Sequence, residues 1–213
     1  MKRIRRLLLI LILIVLIAIG AYYVYENYIK ESDEPKVIKR IDKYDYELNN
    51  KETKLYKTTF NELDKILSKK NVNYDSYAKT ISKLFIIDFY TLDNKLSKND
   101  IGGVQFIKDS MKDNFIEQAR GTFYRYVEQK EGRSQKLPVV SKITSVNTEK
   151  TTYIVEDLST TTTKRVNKKT EGTEYEAYNV SISWDYEKDL GYETTANLTL
   201  IKDGKKLYIV EMD

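Results

Sequence analysis

The longest apolar run stands at the N-terminus, where positions 7–24, from Leu7 to Val24, carry no charged residue and follow Lys2, Arg3, Arg5 and Arg6. At 1.5 Å per residue the run spans about 27 Å of helix, close to the roughly 30 Å hydrocarbon core of a bilayer. The basic cluster precedes it, and Tyr22, Tyr23 and Tyr25 fall where an aromatic belt meets the far interface. The pattern predicts one membrane-spanning helix that contacts the lipid bilayer, with the N-terminus in the cytoplasm and the C-terminal domain outside. Ala18-Ile19-Gly20 offers an alternative, a signal peptide cleaved there to release a secreted domain. On both readings the rest of the chain is exported.

Residues 1–25 are thus read as a cytoplasmic basic tip and transmembrane anchor, 26–49 as a stalk or linker, and 50–213 as an extracytoplasmic domain. The stalk is polar up to Lys36 and carries Pro35, and a Tyr44, Tyr46, Leu48 alternation near its end is a faint strand signal. Tyr56, Phe60, Leu63 and Leu67 then recur at helical spacing, predicting a helix over about 53–68. Tyr77, Ile81, Leu84 and Asp88 repeat that spacing behind Asp75, a good N-cap, and predict a second helix over about 75–92. Ser97-Lys98-Asn99-Asp100 has the form of a capping box, with Asp100 reaching back to the amide at Ser97. A third helix is expected to start there and run through Val104, Ile107, Met111, Phe115, Ala119 and Phe123 to about Glu128. Gly102 and Gly103 near its start are expected to let another element pack close.

From Pro138 onward the period changes to two. Tyr178, Val180, Ile182, Trp184 and Tyr186 alternate with Asn179, Ser181, Ser183, Asp185 and Glu187, which describes a strand with one buried and one wet face. Lys202-Asp203-Gly204-Lys205 is a tight-hairpin signal, with Asp203 and Gly204 expected at positive φ, joining strands of about 193–202 and 205–212. Two further strands are expected at about 139–147 and 151–158, followed by a Thr- and Lys-rich hairpin arm or loop up to Gly172. The fold class is α+β: behind the N-terminal transmembrane helix, three amphipathic helices pack on a curved, cone-like antiparallel sheet of four to five strands.

Composition narrows the chemistry. The chain has no histidine and no cysteine, which removes His- and Cys-based catalysis, disulfides and the usual zinc, copper and haem ligands. No phosphate-binding loop motif is present, so no cofactor and no catalytic set is assigned, and an enzyme is the less favoured reading. The formal charge of +4 comes from 36 basic and 32 acidic residues; without the four basic residues ahead of the anchor the two signs are equal. The basic balance therefore reflects topology and gives no support to nucleic-acid binding. The segment Asp93-Asn94-Lys95-Leu96-Ser97-Lys98-Asn99-Asp100 is rich in oxygen ligands but lacks the EF-hand order, and reads as an interhelical loop, with no metal site. Asn179-Val180-Ser181 and Asn197-Leu198-Thr199 are sequons inside strands and carry no weight in a bacterial chain, which the Lys-, Asn-, Ile- and Tyr-rich composition suggests.

Asp88 interrupts the run Leu84 to Tyr90 on an apolar stripe and is the most informative single residue. It is a candidate pocket acid beside Tyr90, with Trp184 lining the same space; equally it pairs with a basic side chain such as Arg120 or caps a backbone amide, as most buried carboxylates do. Trp184 likewise reads first as core.

The order of elements over about 50–213 resembles the nuclear transport factor two-like superfamily, also called cystatin-like or SnoaL-like, in which a curved sheet wraps a helix layer. Some pocket-bearing members use an acid and a tyrosine at the mouth of the cone, which implies Asp88 and Tyr90 here. In layout the chain is also similar to the single-span scaffold subunits of conjugation and type IV secretion channels. It lacks the Asn-Pro-x-Gly signature of the Gram-negative members, its only prolines being Pro35 and Pro138. The expected function is a membrane-anchored, non-enzymatic interaction or scaffold module that binds a protein partner or self-associates. The alternative is a small-molecule-binding or enzymatic cone-fold domain using the pocket carboxylate and tyrosine.

Overall fold

The structure, a computed structural model, describes residues 14–22, 35–128, 132–133, 135–156 and 172–213. Residues 14–22 are helical. Positions 7–13 and 23–24 of the apolar run lie outside the described residues, and among the described residues no helix is long and apolar enough to cross a membrane. The folded unit spans Pro35–Asp213 and is α+β.

It opens with a two-stranded hairpin, β1 (Val37–Ile41) and β2 (Tyr46–Asn49), joined by a 3-10 turn at Asp42–Tyr44. The alternation there puts Tyr44, Tyr46 and Leu48 into the core. The Tyr46 and Tyr77 hydroxyls lie 2.7 Å apart; Tyr46 donates to the Leu207 carbonyl at 3.3 Å, and Tyr77 accepts from its N–H at 3.3 Å. Residues 37–49, which the sequence pattern assigns to the stalk, are thereby part of the domain.

Helix α1 (Lys54–Leu67) starts where the Thr53 side chain accepts from the Tyr56 N–H, and its predicted stripe of Tyr56, Phe60, Leu63 and Leu67 is buried. In α2 (Tyr74–Tyr90) the cap is Asn73, accepting from Ser76 N–H at 2.8 Å, with Asp75 in the first turn rather than at the cap. α2 joins the helices to the sheet, packing against α1 and against β3 and β4 of the main sheet.

The third helix departs from expectation. α3 covers only Asp109–Gly121, and Val104–Phe106 is a separate 3-10 turn. Asp100 accepts from the Leu96 N–H at 2.9 Å, not from Ser97, and starts no helix. Gly103 sits at φ 79°, outside helical space, which ends any continuous helix through that point.

The main sheet runs β3 (Val140–Glu156), β4 (Gly172–Tyr186), β5 (Thr195–Asp203) and β6 (Lys206–Met212), antiparallel throughout in the order β3-β4-β5-β6. β3 is one strand, not two: nothing between Asn147 and Thr151 breaks the ladder, which pairs Asn147 with Ser181 and continues to Glu156 opposite Gly172. The inward residues Tyr178, Val180, Ile182 and Trp184 are buried, whereas Asn179, Ser181 and Asp185 are exposed. In the β5–β6 hairpin only Gly204 takes positive φ, at 60°, while Asp203 stays in its strand opposite Lys206. With glycine at the first central position and alone at positive φ, the turn fits type II′, not the type I′ that positive φ at two successive residues would make.

Candidate functional site

The last two turns of α2 carry Asp88, and the loop that follows returns Lys95 against it. Both side chains are buried, 10% and 5% exposed, and the Lys95 ammonium forms an ion pair with Asp88 Oδ1. Asp88 Oδ2 accepts from the Gly103 N–H at 2.7 Å. Beside it, Tyr124 accepts from the Gly102 N–H at 3.1 Å and donates to the Phe89 carbonyl at 2.7 Å. A Cβ on Gly102 would stand 2.3 Å from the Asp88 carbonyl oxygen, and one on Gly103 2.6 Å from the Phe85 ring. The glycine pair therefore allows the loop to approach α2 closely enough to deliver its amides to Asp88 and Tyr124.

Charge in this knot is shared. Burial alone would lower the Lys95 ammonium, but the facing Asp88 carboxylate, with Tyr124 and Glu52, more than reverses it and raises the amine. Burial pushes the Glu52 carboxyl up to about 8, with Asp88 as the next largest cause. Burial also raises the Tyr124 and Tyr56 hydroxyls. Arg120, which the sequence offers as a partner for Asp88, pairs with Glu117 at 2.9 Å within its own helix.

The three candidate pocket residues do not meet in one place. Tyr90 and Trp184 are both buried, with ring centroids 4.6 Å apart, and Phe123 adds an edge contact to Tyr90 at 5.0 Å. Asp88 borders a cleft of about 280 Å³ whose lining is mostly polar, including Asp45, Glu47, Asn49, Gln105 and Lys206; neither Tyr90 nor Trp184 lines it.

Among the described residues no group of three or more acidic side chains is placed to hold a metal ion. In the Asp93–Asp100 loop the two aspartates serve the backbone instead: Asp93 Oδ1 accepts from Leu137 N–H at 3.1 Å, and Asp100 holds the Leu96 amide. Sequence reasoning missed Lys95, Glu52 and Lys206. Lys95 and Glu52 stand in loops, where no period marks a side chain as buried, and Lys206 is the first residue of a strand. No family model, curated protein or solved structure matches the chain.

Proposed function

We propose that this chain is a membrane-anchored, extracytoplasmic interaction module of the nuclear transport factor two-like kind. It spans the cytoplasmic membrane once through positions 7–24 and acts as a non-enzymatic scaffold that binds a protein partner or a second copy of itself. The observation that carries this reading is the uncharged run from Leu7 to Val24 behind Lys2, Arg3, Arg5 and Arg6. Chemical poverty supports it: with no histidine or cysteine, acid–base chemistry falls to carboxylates, lysines and tyrosines. The most conspicuous of these, Asp88, already has both oxygens engaged by Lys95 and Gly103.

Reporter fusions test the topology. An alkaline phosphatase fused after Asp213 is expected to be active and a cytoplasmic reporter at the same point inactive; the reverse result overturns the reading. Cross-linking on intact cells is expected to give a discrete adduct heavier than the monomer. Monomer alone, at an expression level that saturates the reporter, removes the scaffold assignment while leaving the topology standing.

A further inference from the structure

The cleft bordered by Asp88 also holds charges that the buried knot does not use. Its carboxylates at Asp88 and Glu47 are neutralised by Lys95 and by Arg40. Gln105 is committed as well, accepting from Glu47 N–H at 2.9 Å and donating to Tyr56 Oη at 2.8 Å. Lys112 pairs with Asp109 at 2.6 Å. What remains are Lys206, Asp45 and Asn49.

Lys206 is half-buried, and among the described residues it makes no ion pair. Its ammonium lies over two aromatic rings instead, 4.6 Å from the Tyr46 centroid and 5.3 Å from that of Tyr208. Tyr46 is itself fixed by its contacts to Tyr77 and Leu207, so the cation has a defined position. Burial lowers the Lys206 amine; Asp45 and, less strongly, Asp109 act in the opposite sense, and Lys112 acts with burial, so Asp45 is the strongest-acting anion in a surround that also holds the Lys112–Asp109 pair. Asp45 is exposed and is the one non-glycine residue among those described with positive φ, at 53°. Aspartate is among the residues that adopt this conformation in turns, and closing the 3-10 turn here leaves its carboxylate exposed on the cleft lining.

From these positions we infer that the cleft is a binding site for a small zwitterion of the α-amino acid class. The ligand carboxylate meets the Lys206 ammonium, and the ligand ammonium meets the Asp45 carboxylate. Asn49 supplies an amide for the remaining polar atoms, and Ile101 and Val104 offer an apolar wall to a short side chain. Charge complementarity selects the class: taken with their partners the lining groups sum to neutral, with one unpaired cation and one unpaired anion held apart. A simple anion would satisfy only Lys206, and a simple amine only Asp45. The volume of about 280 Å³ leaves room for a single amino acid between these groups.

The test uses the full chain purified in detergent, titrated calorimetrically with a panel of uncharged L-amino acids, with propionate and ethylamine as one-charge probes. At least one amino acid is expected to bind at about millimolar affinity or tighter, with both one-charge probes weaker by about tenfold or more. Lys206→Met and Asp45→Asn are each expected to weaken that amino acid by about tenfold or more. Asp45→Gly separates binding from folding, because glycine accepts the positive φ without strain. It is expected to melt at or above the parent temperature and still lose the ligand. No binding by any panel member overturns the inference. So does propionate binding as tightly as the amino acids, or Asp45→Gly binding with parental affinity.

Discussion

Taking two opposite charges out of water is expensive, and the Asp88–Lys95 pair is tolerable only because each partner neutralises the other and Gly103 fills the second carboxylate oxygen. Removing one charge alone should therefore cost more than removing both. Asp88→Asn keeps the shape and an acceptor for the Gly103 amide, yet it leaves the Lys95 ammonium buried and unpaired. The expected loss is about 3–5 kcal/mol in urea unfolding. Adding Lys95→Met to Asp88→Asn should recover most of it, and strict additivity of the two single changes would show that the pair is not coupled. The Asp88 half of this pair was legible in the sequence because a charge on an apolar stripe must be satisfied by something. Its partner was not, since Lys95 lies seven residues on in an irregular loop and looks like any surface lysine until the loop is folded back.

Elements with unbroken periodicity were legible in the same way: the predicted stripes of α1 and α2 and the inward positions Tyr178 to Trp184 of β4 are buried, whereas Tyr186 is only half-buried and α2 is buried on every side from Leu84 to Tyr90. The segment from Ser97 to Lys108 was not, because its apolar residues keep helical spacing while a single backbone conformation forbids the helix. Gly103 holds φ 79° and packs on the Phe85 ring, and Asp88 captures its amide. Tertiary contacts thus outweigh a weak local preference for helix that two glycines had already reduced. Gly103→Ala combines strain at positive φ with a Cβ 2.6 Å from an aromatic carbon, so the loop must move off α2. We expect a loss of about 2–4 kcal/mol, summing backbone strain and overpacking. Guanidinium melts check it: a midpoint equal to that of the parent would mean that the loop does not need this approach to α2.

For the molecule as a whole, the same lack of histidine that empties the active-site repertoire also leaves few side chains to titrate between pH 5 and 8. Glu52 is the exception. Burial, then the charge of Asp88, pushes its carboxyl up to about 8 from an ordinary value of 4.5, with Asp100 acting in the same sense and Lys95 and Lys57 against it. In the unfolded chain the group ionises near its ordinary value; in the folded domain it keeps its proton until about pH 8. Between those limits the unfolded state binds fewer protons, so folding stability is greatest at the acid end and falls as pH rises. The direction is opposite to that of ordinary acid denaturation, where paired carboxylates lose stability on protonation. Charging Glu52 beside Asp88 should cost about 2–4 kcal/mol between pH 5 and pH 8, an amount that a single-core domain without disulfides would show clearly. Urea midpoints at the two pH values, for the parent and for Glu52→Gln, measure it. The parent is expected to be more stable at pH 5 than at pH 8, and the Gln variant to lose most of that difference while matching the parent near pH 5. If the two proteins show the same slope, the pH response has another source and Glu52 is not the proton-holding group of the knot.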